Sequence, residues 1–77
     1  MIPTPLYERV LSESGLSRIF VDGVLRRACS RANVNVDAMS SEGLRKALPF
    51  IEESLRIYLA PSEVDLRVGA IRKLAEA

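Results

Sequence analysis

Cys29 is the one thiol in a chain of 77 residues that contains no histidine. A cysteine becomes a nucleophile when a neighbouring base or cation stabilises its thiolate. The usual proton shuttle near neutral pH is missing here, so a serine–histidine pair and a phosphorelay histidine are both excluded. Cys29 falls at the edge of an apolar helical face and reads as a small hydrophobe. Glu52 and Glu53 are adjacent, and adjacent positions on a helix diverge by about 100°. They do not converge as an acid/base pair and read as solvated carboxylates. The four glycines are scattered and form no phosphate-cradling loop. One cysteine without histidine cannot assemble the usual zinc site or a disulfide within the chain. The expectation is a protein that is not an enzyme, with no catalytic residue, cofactor, metal or small-molecule substrate.

The basic residues raise a second kind of chemistry. Arg26, Arg27 and Arg31 cluster on one predicted helix, with Arg18 a few turns earlier. Arg27 and Arg31, four apart, share a face and could contact phosphates. Short helices with tight connections also belong to helix-turn-helix domains. Against this, the connector after that helix exceeds the usual turn of about 3–4 residues. The helix that would read bases opens "SSEGLRK", with a glutamate and a glycine where base-reading side chains would stand. It also carries the most regular apolar stripe in the chain. A net charge of +1 supplies no global field for nucleic acid or membrane. A small DNA-binding regulator is therefore the alternative, and a solvated basic rim the main reading.

Four helices must position these groups. The first opens with Thr4 as N-cap and Pro5 at the first helical position, where its missing N–H costs nothing. Leu6, Val10 and Leu11 form its stripe, and Gly15 ends it, with Leu16 folding back. Ser17 caps the second helix, with Leu16 and Val21 as a hydrophobic staple. Phe20, Val21, Val24, Leu25, Ala28 and Ala32 share its apolar face. Gly23 lies off that face and weakens the helix by about 1 kcal/mol relative to alanine. Asn33 stops the helix. Val34, Val36 and Met39 of the connector plug the edge of the core.

Ser40 or Ser41 starts the third helix, with Glu42 in its first turn, where the helix dipole favours it. Leu44, Ala47, Leu48, Ile51, Leu55, Tyr58 and Leu59 fall on one stripe that keeps its phase through Pro49. This favours one proline-kinked helix; the alternative is a short helix to Leu48 and a new one from Pro49. Glu52 and Arg56 form an exposed i,i+4 pair. Ser62 with Asp65 gives a capping-box start to the last helix, whose inward stripe is Val64, Val68, Ile71 and Ala75. Arg72 and Lys73 occupy its last turns, where the dipole favours cations.

Phe50 lies opposite the third helix's main stripe, and Ile57 lies in line with it seven residues on. Leu66 and Ala70 repeat the feature on the fourth helix. A two-sided helix is either central in its own bundle or covered by another chain. The interface reading makes Phe50, Ile57 and Leu66 candidate partner-binding residues, with Arg27 and Arg31 as a charged rim.

The stretch "VLRRACSRANVNVDAMSSEGLRKALPFIEESLRIYLAPSEVDLRVGAIRKL" resembles small helical segments that accompany signalling and regulatory domains in bacterial and archaeal proteins. The shared pattern is a helix, a connector with an aspartate, a Ser/Thr start, a "LxxxLPxIExxLxxYL"-like helix and a final amphipathic helix. That resemblance implies a helical interaction or dimerisation module and supplies no catalytic residues. No apolar run approaches the roughly 20 residues that span a bilayer, "MIPTPLYER" is no signal peptide, and a lone cysteine suits a reducing compartment. The sequence thus predicts a single all-α domain over 1–77, a small four-helix bundle with a central third helix. The expected function is a cytoplasmic adaptor or regulatory module, self-associating as a homodimer.

Overall fold

The computed structural model describes residues 5–17 and 19–76. Thr4 and Arg18 lie outside the described residues. The chain folds as a small all-α four-helix bundle, with no strand among the described residues. Its helices are α1 (Pro5–Glu13), α2 (Val21–Arg31), α3 (Ser41–Tyr58) and α4 (Pro61–Glu76), with one 3₁₀ turn at Val36–Ala38. α3 packs along both α2 and α4, and α1 closes the bundle against α4 and α2.

The core is built from the expected stripes. Leu44, Ala47, Leu48, Ile51 and Leu55 of α3 are buried against Val21, Leu25, Ala28 and Cys29 of α2 and Val64, Val68, Ile71 and Ala75 of α4. α3 runs unbroken through Pro49. The ring removes one N–H, so the Arg45 carbonyl lacks its i+4 partner, while five buried side chains hold the helix in phase on either side. Ser40 is its cap: its Oγ accepts from Gly43 N at 3.1 Å. Val36 and Met39 are buried and Val34 packs against the core, so the connector plugs the core's edge as expected.

α2 ends in a Schellman motif. Asn33 takes φ 62°, Val34 N donates to Cys29 O at 2.8 Å and Asn33 N to Ser30 O at 3.0 Å. α1 ends at Gly15, with φ 75°; a Cβ there would lie 2.6 Å from Arg67 Nε. Glycine is therefore favoured by its backbone conformation, with the Arg67 side chain lying over it. Ser14 is fully buried before it, its Oγ donating to Leu11 O at 2.8 Å.

Five local expectations are corrected. α2 begins at Val21, not after Ser17. The Ser17 carbonyl accepts from Phe20 N and Val21 N in a separate turn, and Phe20, with φ −125°, is the cap residue without a side-chain cap. Leu16 and Val21 both reach the core, but not at staple spacing about that cap. α4 begins at Pro61, whose fixed φ starts the helix a position before Ser62; Val64 N donates to Ala60 O at 2.9 Å. The α1 stripe turns on Tyr7, wholly buried with Val10, while Leu6 and Leu11 are only half-buried. Phe20 and Tyr58, both expected inside, are exposed.

Candidate interaction groove

The side chains that leave the core meet again between α2 and α3. Their spacing follows from helix geometry. Phe20, Gly23, Val24, Arg27 and Arg31 recur at steps of three and four along one ridge of α2 and its cap. Ser54, Ile57 and Tyr58 do so on α3. Together these eight residues line a surface groove of about 510 Å³.

The groove walls are apolar and outward-facing. Ile57 is 75 % exposed, Tyr58 49 % and Phe20 41 %. The Phe20 and Tyr58 rings pack against each other across the two helices, with centroids 5.4 Å apart and planes tilted by 42°, a geometry that aromatic quadrupoles favour. The pair closes one end. At the other end Arg31 donates to Glu53 Oε1 at 3.3 Å, and its guanidinium lies 5.1 Å from the centroid of Phe50. Arg27 stands between the ends, exposed, with no carboxylate partner among the described residues. The floor is low because Gly23 has no side chain; a Cβ added there would meet nothing within 4 Å.

The sequence-predicted contact residues thus divide. Ile57, Arg27 and Arg31 come together at the groove. Phe50 is half-buried, packs against the core and is roofed by Arg31, so it supports the groove's end rather than standing in water. Leu66, 65 % exposed, lines a different groove of about 750 Å³ between α1 and α4. That larger groove mixes both signs of charge, with Glu8, Glu13 and Asp65 beside Arg9 and Lys73, and Leu66 is its only exposed large apolar side chain. Phe20, Val24 and Tyr58 were expected on apolar faces rather than at the surface, and Gly23, expected off the apolar face, was not foreseen as part of a groove. The recurrence of 20, 24, 27 and 31 was a readable signal, but it resembles a core stripe until a second helix shows which side is open.

Cys29 is buried in the core, and burial pushes its thiol up to about 11, away from the thiolate a nucleophile requires. No group of three or more His, Cys, Asp or Glu side chains able to hold a metal forms among the described residues. No helix among them is long and apolar enough to cross a membrane.

The other polar cluster of the molecule is structural. The hydroxyl of buried Tyr7 donates to Asp22 Oδ1 at 2.7 Å. Arg26 Nε lies 3.0 and 2.9 Å from the two Asp22 oxygens, and its guanidinium sits 5.6 Å from the Tyr7 ring centroid. The Tyr7 hydrogen bond and then Arg26 hold the Asp22 carboxyl below the usual carboxylate range. Burial first, and Asp22 second, raise the Tyr7 phenol well above its ordinary value. These groups satisfy one another and pin α1 to α2.

Compared with known proteins, the chain matches no protein-family model, no curated protein and no solved structure.

Proposed function

We propose that this chain is a protein–protein interaction module, an adaptor or regulator that presents the α2/α3 groove to another polypeptide. The observation that carries this is the groove itself: three large apolar side chains stand exposed around an unfilled floor, in a chain whose core already accounts for the inward stripes of all four helices. Such patches on small domains mark contact surfaces. Aromatic anchors flanked by arginine are the residue types that concentrate binding energy.

The homodimer expected from the sequence is one form of this reading. A two-fold axis through the middle of the groove would bring Arg27, which stands between the ends, towards its own copy, which disfavours it, so we favour a different chain as partner. Duplex DNA is the competing class. Arg31 is already engaged with Glu53 and Phe50 and the α3 stripe is buried, which leaves Arg27 as the groove's cation without a carboxylate partner among the described residues. DNA binding predicts salt-sensitive affinity that Arg27→Ala and Arg31→Ala abolish.

The test compares two baits, the wild type and the double variant Ile57→Ser, Tyr58→Ser, in extract of the cells that make the protein. The variant should keep its helical circular dichroism. At least one bound protein should be depleted roughly tenfold or more on it, equivalent to about 1.4 kcal/mol. Identical captured sets would overturn the reading. Light scattering over a concentration series settles the form: we expect a monomer, whereas a dimer dispersed by the same variant would reinstate the homodimer.

A further inference from the structure

Three features of the groove go beyond exposure. Its lining includes two cations, Arg27 and Arg31, and no carboxylate. Glu53 is paired with Arg31 from outside the lining. Gly23, in the third position of α2, has open space where a side chain would be. Glycine weakens a helix by up to about 1 kcal/mol relative to alanine, less in the first turn than in the interior. Neither a positive φ nor a close neighbour requires it here. A residue that destabilises its own helix and packs against nothing leaves room for something else.

From these features we infer that the groove receives one amphipathic helix of another protein, with a large apolar side chain seated over Gly23 between Phe20 and Ile57, and a carboxylate facing Arg27. This deepens the interaction reading above and rests on it. The scale fits: α2 has 11 residues, about 16 Å at 1.5 Å per residue, so a partner helix of three to four turns spans the ridge. In helix-in-groove recognition the docked helix presents its anchors at steps of three, four and seven, which puts an apolar anchor and a carboxylate on one face. Arg27, which has no carboxylate partner among the described residues, gains one. The complementarity also excludes: a basic or neutral amphipathic helix leaves Arg27 against apolar or like-charged surface, while Arg31 keeps Glu53.

The probe is a phage-displayed library of helical peptides about 14 residues long, randomised along one face and selected on the folded wild-type chain. The selected pool is expected to place Asp or Glu three or four residues from a large apolar anchor, with affinity that falls as salt rises. Gly23→Leu should fill the floor and weaken the selected peptides at least tenfold without lowering the melting temperature, and Tyr58→Ser should weaken them as well. Arg27→Glu with Arg31→Glu should turn the selected composition from acidic to basic. A pool that is neutral or basic on the wild type, binding undiminished by both Gly23→Leu and Tyr58→Ser, or no enrichment at all would overturn the inference. The interaction reading fails separately, when the two baits above capture identical proteins. A bait difference without peptide enrichment would leave that reading standing with a partner that is not a single acidic helix.

Discussion

Arg26 and Arg27 are neighbours on α2, and their surroundings could hardly differ more. Arg26 turns towards α1, meets both oxygens of Asp22 and lies over the Tyr7 ring. Arg27 turns towards α3 and stands at an open groove without a carboxylate. One face of α2 is closed against α1, where the hydroxyl of buried Tyr7, the half-exposed Asp22 carboxylate and the Arg26 guanidinium satisfy each other. The other has exposed aromatics, a glycine floor and an unused cation. The contrast separates what the fold needs from what it offers: substitutions on the Tyr7 side should cost stability, and those on the Gly23 side should not.

The largest effect belongs to the finished face. Tyr7 is wholly buried, and truncating a buried aromatic to alanine costs about 3–5 kcal/mol. In a domain this small that is a large part of total stability, typically about 5–15 kcal/mol even in ordinary domains. Tyr7→Ala should therefore be largely unfolded or lose most of its urea midpoint, whereas Ile57→Ser should stay within about 0.5 kcal/mol of the wild type. Urea titrations followed by circular dichroism measure both. If the two variants lose stability equally, the groove is core and the contrast collapses.

That same contrast shows what the sequence exposed and what it hid. The α3 stripe was legible because five apolar side chains from Leu44 to Leu55 keep one phase for three turns, and no other orientation buries them all. Tyr58 continued the stripe by a step of three, but that step rotates away from the axis of burial. The half-buried side falls to Leu59, leaving Tyr58 on the groove side. α1 is only nine residues long, with apolar side chains at 6, 7, 10 and 11. Its phase is ambiguous by one residue, which is how Tyr7 escaped notice. The groove was half-legible: Ile57 with Arg27 and Arg31 came from off-stripe spacing. Its other half required knowing that α2 starts at Val21 and leaves Phe20 outside.

A smaller change sharpens the same comparison. Tyr7→Phe keeps the ring and removes the hydroxyl, at about 1 kcal/mol for a hydrogen bond whose acceptor is charged but half-exposed. The loss should depend on pH in two directions. Asp22 has its folded value lowered, chiefly by Tyr7. The stability this contributes is present above the unfolded carboxylate value, about 4, and is lost as pH falls through the folded one. Tyr7 has its folded value raised from 10.0, so its contribution is present below that value and is lost as pH rises beyond it. Wild type and Tyr7→Phe should differ most at neutral pH and converge in acid, and above about pH 10 only the wild type should lose stability through this phenol. Carboxyl-carbon NMR should show Asp22 titrating higher in the variant. An unchanged Asp22 titration would mean that Arg26, not Tyr7, holds it.

The smallest effect has the opposite sign. Gly23→Ala adds a methyl group where nothing lies within 4 Å of it, and it removes the backbone freedom glycine has in the unfolded chain. Nothing in the bundle opposes the change, so the variant should be more stable by about 0.5–1 kcal/mol, a rise of several degrees in melting temperature for a domain of this size. A neutral or destabilising result would mean that α2 needs glycine for its own packing, and the floor would be a structural feature rather than a vacancy. A stabilised variant with weakened peptide binding would show the two faces of α2 trading against each other at one position. The residue least useful to the fold would then be the one the groove depends on.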